Sequence, residues 1–290
     1  MNQLSDLSVI EELLSRHGFH LSHKLGQNFL VNPSVCPKMA AESGAGEEVC
    51  ALEIGPGIGV LTKELAKVAK KVVAIEIDER LIPVLEETLA GEENVAVLSG
   101  DAMEMDLHEV FREHFSGERV VVCANLPYYI TSPLLMKLLE EKLPIEAITV
   151  MVQKEAAARL CAPPGVRECG AVSAAVWYYA EPKLLFSVSH GSFYPPPKVD
   201  SAVIRLALRR EPPVDVFDEA LFFRVIRVSF LTRRKTILNS LSAGLSLPKD
   251  RMAAVLQRAG VAQSARAETL SLSQFAAIAN ELSPKKEAEI

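Results

Sequence analysis

Apolar positions along the chain follow two periods that trade places in a regular order. Leu7, Val9, Ile10, Leu13 and Leu14 recur at helical spacing ahead of Gly18, which predicts a short amphipathic helix at the start. Asn32-Pro33 opens a second helix that ends near Gly44. Beyond it come apolar runs of strand length: Val49 to Ile54, Val72 to Ile77, Val95 to Ser99, Val120 to Ala124 and Ala147 to Val152. Helical patterns separate them, beginning near Leu61, Glu79, Leu107 and Ser132. This alternation predicts a doubly wound α/β domain with a mainly parallel sheet, whose ligand lies beyond the C-terminal ends of the strands. Lys183 to Val188 and Ser201 to Leu208 then close the sheet as an antiparallel, hairpin-like pair. After Glu211-Pro212-Pro213 the pattern is helical throughout, with a last helix near Leu272 to Leu282. The Pro-Pro pair therefore divides a sheet domain over 1–210, with an N-terminal helix and arm over 1–24, from a helical domain over 211–290. No internal repeat or low-complexity segment is visible.

Composition narrows the class. With 290 residues and 49% hydrophobic content the chain buries a large core. No apolar run approaches the roughly 20 residues of a membrane span, and the N-terminus lacks a basic region followed by an apolar core, so a cytoplasmic protein is expected. The five cysteines, Cys36, Cys50, Cys123, Cys161 and Cys169, are scattered without a Cys-x-x-Cys pair and read as reduced thiols. His17, His20 and His23 recur at three-residue intervals, yet no cysteine or carboxylate completes a ligand set and Lys24 sits alongside, so no metal is expected. The net charge of -6 argues against indiscriminate coating of nucleic acid. Locally the balance reverses: Arg224, Arg227, Arg233, Arg234 and Lys235 fall in a stretch free of acids, which reads as a phosphate contact or a solvated helix face.

The chemistry concentrates at strand ends. The first strand runs into Glu53-Ile54-Gly55-Pro56-Gly57-Ile58-Gly59, a glycine turn that lets backbone approach a ligand at a helix N-terminus. A dinucleotide enzyme wants Gly-x-Gly-x-x-Gly; here the spacing is Gly-x-Gly-x-Gly, with Glu53 facing the loop. A carboxylate there repels pyrophosphate but suits the ammonium of an amino acid, which favours S-adenosylmethionine over NAD. Glu76, 21 residues after Gly55, ends the second strand and suits ribose hydroxyls in either cofactor. Asp101, after the third strand, suits an adenine amine. The fourth strand delivers Asn125-Leu126-Pro127-Tyr128-Tyr129. An exocyclic base amine is a poor nucleophile, so its enzyme needs neutral acceptors for the two amine hydrogens and an aromatic face for the ring. The Asn125 side-chain oxygen and a carbonyl made rigid by Pro127 supply acceptors, and Tyr128 a clamp. The same residues also make an ordinary strand-ending turn; the carboxylates at three preceding strand ends favour the chemical reading.

These residues closely resemble the KsgA/RsmA family of 16S ribosomal RNA adenine N6-dimethyltransferases. Three further blocks carry the resemblance: Leu25-Gly26-Gln27-Asn28-Phe29-Leu30, Phe193-Tyr194-Pro195-Pro196-Pro197-Lys198-Val199-Asp200-Ser201-Ala202-Val203, and Arg233-Arg234-Lys235-Thr236-Ile237-Leu238-Asn239-Ser240-Leu241. It runs from about Phe19 to the C-terminus. It implies a Rossmann-like class I S-adenosylmethionine methyltransferase sheet with a small all-α C-terminal domain that binds RNA. By the resemblance Asn28 and Leu30 line the cofactor pocket, Gly55, in a turn shared with Gly57, contacts the methionine moiety, Glu76 the ribose and Asp101 the adenine. Asn125 faces both the cofactor and the target amine, and Tyr128 and Phe193 sandwich a flipped adenine. The implied substrate is 16S rRNA within the immature 30S subunit, where two adjacent adenines are each methylated twice, and a monomer is expected. Cys169 departs from the aromatic residue expected in many relatives, leaving 161–170 as either a lid or a surface loop. A 23S rRNA adenine methyltransferase of the macrolide-resistance type, a ribosome-assembly factor and an NAD oxidoreductase are the competing readings.

Overall fold

The computed structural model describes residues 4–22 and 26–284. Outside them lie both chain ends, His23 of the histidine spacing, its neighbour Lys24, and Leu25, which leads the Gly-Gln-Asn block. Contacts divide the chain into two compact units, Met1–Ala157 with Glu181–Leu208, and Ala158–Ala180 with Arg209–Ile290.

The first unit opens with α1 (Leu7–Arg16), where Asp6 Oδ1 accepts the Ser8 N–H at 2.9 Å and caps the helix. Its apolar stripe of Ile10, Leu13 and Leu14 packs with Phe19, Phe29, Ile58, Leu81 and Val84. Burying each such side chain contributes roughly 1.5–3 kcal/mol, so the stripe ties the N-terminal arm to the sheet domain. After β1 (Phe29–Leu30), helix α2 (Val35–Ser43) starts two residues beyond Asn32-Pro33. The delay is local: Asn32 Oδ1 accepts from Ser34 N at 3.1 Å and Ser34 Oγ at 2.8 Å, closing a turn ahead of the helix. Then follow β2 (Val49–Ile54), α3 (Val60–Ala66), β3 (Val72–Glu76), a 3₁₀ turn over Glu79–Leu81 that leads into α4 (Ile82–Thr88), β4 (Val95–Ser99), α5 (Leu107–His114), β5 (Arg119–Asn125), α6 (Thr131–Glu140) and β6 (Ile145–Gln153).

Strands β2 and β3 are buried along their whole length, as expected of parallel strands covered on both faces. The seven-stranded sheet has the order β4-β3-β2-β5-β6-β9-β7, where β7 is Ala180–Val188 and β9 is Ser201–Leu208. Neighbours from β4 through β6 run parallel, and β9 enters between β6 and β7, antiparallel to β6. The chain winds outward from β2 through β3 to β4 and then returns to β5 on the other side of β2. That reversal opens a crevice at the C-terminal ends of β2 and β5. A separate two-stranded ribbon pairs β1 with β8 (Phe193–Tyr194), Leu30 opposite Phe193.

Helix α7 (Lys154–Cys161) begins in the first unit and ends in the second. The second unit continues with α8 (Ala171–Tyr179), α9 (Glu219–Phe230), α10 (Ile237–Gly244), α11 (Lys249–Arg258) and α12 (Leu272–Leu282). The sequence reading leaves 158–180 with the sheet, whereas its contacts lie with the later helices. The reason is aromatic: Tyr178 sits 5.1 Å from the rings of both Phe222 and Phe223, and Tyr179 stacks on Phe223 at 5.2 Å. Cys169, 1% exposed, joins this core beside Tyr178 and Phe222, so the end of the 161–170 loop is anchored. All five cysteines are free; Cys36, Cys50, Cys123 and Cys169 are buried and Cys161 is half-buried. Among the described residues no helix is long and apolar enough to cross a membrane.

Candidate active site

A cavity of about 190 Å³ occupies the crevice at the switch point of the sheet. Its walls come from the glycine turn after β2, the ends of β3 and β4, the corner after β5, and the segment Gly26 to Leu30 that follows the arm. The fold thus gathers Asn28, Leu30, Glu53, Gly55, Gly57, Glu76, Asp101, Asn125, Leu126, Pro127, Tyr128 and Phe193 around one space. They come from segments as far apart as residues 28 and 193.

The glycine turn takes its form from two of its members. Gly55 has φ +73°, and a Cβ built there would meet no atom within 4 Å, so this stretch of backbone faces open space. Gly57 has φ +62°, and a Cβ there would stand 3.3 Å from the Phe29 ring. The Gly57 N–H donates to Glu76 Oε2 at 3.0 Å, and the Asp78 N–H donates to Glu76 Oε1 at 2.9 Å. Two backbone donors therefore fix the Glu76 carboxylate, although burial still raises its pKa. Asp101 is aimed in the same way, its Oδ1 accepting the Met103 N–H at 2.8 Å.

Glu53 is held differently. It is 1% exposed, and burial pushes its pKa up to about 8, with the nearby Glu76 charge adding and the Thr62 hydroxyl opposing. Neither Glu53 Oε2 nor Thr62 Oγ1 makes a well-formed hydrogen bond among the described residues. A buried acceptor without a partner costs about 1–3 kcal/mol, a cost that proteins concentrate at sites where a ligand supplies the missing donor.

At the corner after β5, Asn125 ends the strand opposite Met151 of β6. The Pro127 carbonyl accepts from Ile130 N at 3.2 Å and Thr131 Oγ1 at 3.4 Å, which closes the turn into α6. Those bonds use Pro127 O for the turn, while the proline ring restricts the Leu126 backbone that precedes it. The Tyr128 hydroxyl shares a 2.8 Å hydrogen bond with Ser201 Oγ, while Tyr129 is 57% exposed. Phe193 is only 4% exposed, lining the cavity with one side and packing in the sheet core with the other.

Several contacts at this site escape sequence reasoning. Gln27 Nε2 donates to Asp78 Oδ2 at 2.8 Å, and Gln27 Oε1 accepts the Ser22 N–H at 2.9 Å, clamping the arm onto the end of β3. Arg80 closes the clamp on Asp78 Oδ2 at 2.6 Å. The only signal for Gln27 is its place in the Gly-Gln-Asn block. His17 pairs with Glu87 Oε2 at 2.7 Å, and no group of three or more metal-ligating side chains forms among the described residues. The five basic candidates lie in the second unit and are all exposed, Arg224 and Arg227 on α9 and Arg233, Arg234 and Lys235 in the turn that follows.

The chain resembles known proteins over nearly its whole length. The chain is 48% identical over 286 residues to proteins of Bacillus mycoides and Bacillus cereus named ribosomal RNA small subunit methyltransferase A, an alignment covering 97% of this chain and 98% of each of theirs. Among solved structures it resembles the 23S rRNA methyltransferase ErmE, with a TM-score of 0.66 and 28% identity, covering 88% of this chain and 99% of that one. It also resembles a dimethyladenosine transferase from Plasmodium falciparum, with a TM-score of 0.70 and 27% identity, covering 86% of this chain and 95% of the other. The model of ribosomal RNA adenine dimethylases matches residues 18–284, and the chain, an rRNA methyltransferase by this descent, belongs to that family.

Proposed function

We propose that this protein transfers methyl groups from S-adenosylmethionine to the N6 amines of two adjacent adenines near the 3' end of 16S rRNA, dimethylating each while the small subunit matures. The observation that carries the reading is the buried Glu53 carboxylate, one oxygen of which lacks a well-formed hydrogen bond, beside an open glycine turn, with Asn125 and Tyr128 lining the same cavity. Glu53 would accept the cofactor's ammonium, Glu76 its ribose hydroxyls and Asp101 its adenine amine, with Gly55, Gly57, Asn28 and Leu30 as walls. A pyrophosphate fits this set poorly, because its charge would meet a buried carboxylate. S-adenosylmethionine supplies an electrophilic methyl group on a positively charged sulfur.

The chain's own task is then alignment. Asn125 Oδ1 and the Leu126 carbonyl accept the two amine hydrogens and turn the nitrogen lone pair toward the methyl, while Tyr128 and Phe193 clamp the ring. Good alignment supplies on the order of 7–11 kcal/mol, and stacking adds roughly 1–3 kcal/mol. The amine proton leaves to water after transfer, so no histidine base is required.

The names of the 48%-identical relatives support the small subunit as target, whereas the likeness to a 23S rRNA methyltransferase reflects the shared transfer machinery. We take the working form to be a cytoplasmic monomer acting on immature 30S particles. Incubation with labelled S-adenosylmethionine and such particles should place dimethyladenosine on two neighbouring adenines, read by mass spectrometry. Preferential labelling of free 23S RNA would reverse the choice of target. Rescue of subunit assembly by an inactive enzyme would instead support the assembly-factor reading.

The exposed basic turn favours phosphate contacts. Replacing Arg233, Arg234 and Lys235 together by alanine is expected to weaken RNA binding and to lower the slope of log affinity against log salt by roughly 2–3. Cofactor affinity, measured by calorimetry, should stay unchanged.

A further inference from the structure

The two rings that the proposed reading assigns to the target base stand on different elements, Tyr128 after β5 and Phe193 in β8. One dipeptide reaches both. Ser201 opens β9, is 0% exposed, and shares its 2.8 Å hydrogen bond with the Tyr128 hydroxyl. Asp200 Oδ1 accepts the His190 N–H at 2.9 Å and lies 2.8 Å from His190 Nδ1. The His190 carbonyl in turn accepts the Phe193 N–H. The dipeptide is itself tied to the sheet: the Asp200 carbonyl accepts the Lys154 N–H at 3.0 Å, and Ser201 lies opposite Gln153 in the β6–β9 register.

We propose that Asp200 and Ser201 are positioning residues which set the spacing and tilt of the two base-binding rings, Ser201 through the Tyr128 hydroxyl and Asp200 through the His190 turn that carries Phe193. The inference rests on the reading of Tyr128 and Phe193 as the rings that hold the adenine. A tyrosine at a cavity lip can swing between staggered rotamers, and a stacked base demands one of them. Anchoring the far end of the ring to a fully buried hydroxyl on a strand paired on both sides removes that freedom before the base arrives, which is how preorganisation raises affinity and rate. The same strand start fixes the turn before the second ring, so both sides of the slot share one rigid reference.

The test is a double-mutant cycle with 2-aminopurine RNA, whose fluorescence is quenched when the base in the target position stacks. Ser201→Ala and Tyr128→Phe should each lower kcat/KM for RNA roughly 5- to 20-fold and weaken the quench at saturating RNA. The double variant should fall no further than either single one, because both remove the same bond. Asp200→Ala should also lower kcat/KM, with Asp200→Asn restoring most of it because the Oδ1 acceptor remains. S-adenosylmethionine affinity should be unaffected throughout. Full wild-type kcat/KM in Ser201→Ala, or a double variant that loses the product of the two single effects, overturns the proposal. If Ser201→Ala does not fold, an unchanged quench in Tyr128→Phe overturns it equally. Wild-type transfer by Tyr128→Ala would instead defeat the clamp reading on which the inference rests.

Discussion

Asn125→Ala is expected to lower kcat for methyl transfer roughly 100- to 1000-fold, the loss usual when a preorganised polar group at a reacting centre is removed. Asn125 ends β5 at the lip of the cavity, half-buried, so the truncation opens little core and the melting temperature should move by a few degrees at most. The electrophile arrives already activated with the cofactor, so the chain's contribution falls on the weakly nucleophilic amine. What is lost is the acceptor that orients the amine, and the deficit should therefore appear in the single-turnover rate more than in RNA affinity. Asn125→Asp keeps an acceptor oxygen but adds a charge beside the sulfonium, which favours the bound cofactor over a transition state in which that charge is dispersing. It should remain well below wild type. A single-turnover rate within threefold of wild type for Asn125→Ala would remove Asn125 from the transfer step.

Glu53→Gln should act in opposite directions on stability and binding. In the free protein the Glu53 pKa is raised from 4.5 to about 8, so this carboxyl is mostly neutral at pH 7. A raised acid stabilises the fold fully below its unfolded pKa, and that contribution is lost as pH rises toward 8. The full loss is on the order of a few kcal/mol, because ionising Glu53 leaves a buried charge without a partner. The glutamine variant escapes it, and its melting temperature should exceed that of the ligand-free wild type increasingly from about pH 4.5 to pH 8, then by a constant margin. An ammonium group arriving at Glu53 reverses the preference and draws the proton off. Cofactor binding at pH 7 should thus release about one proton in wild type and close to none in Glu53→Gln, measured by calorimetry in buffers of different ionisation enthalpy. Affinity in the variant should fall roughly 10- to 100-fold. Equal proton release by both proteins would mean that the ammonium binds elsewhere.

Asn125 and Glu53 both stand where an apolar strand gives way to polar residues, and a one-dimensional pattern records that change directly. For the same reason the strands over 49–54, 72–76 and 95–99 and the helix over 272–282 lie within a residue or so of their expected limits. Strand and helix periods are set by local backbone geometry, so the spacing of apolar side chains reports them without knowledge of the partner surface.

What the sequence alone determined is the alternation of elements, and with it a doubly wound sheet whose strand ends carry Glu53, Glu76, Asp101 and Asn125. The family likeness followed from motifs within single segments. Contacts between distant segments required the folded chain: the pairing of Leu30 with Phe193, the Gln27–Asp78 clamp across 51 residues, and the Tyr128–Ser201 bond across 73. The helical unit's claim on 158–180 belongs with these, because the aromatic side chains that hold it there lie on both sides of an entire strand pair. So does the raised pKa of Glu53. A carboxylate in a sequence has its ordinary acidity, and only the strands and helices packed around it remove the water that would keep it charged.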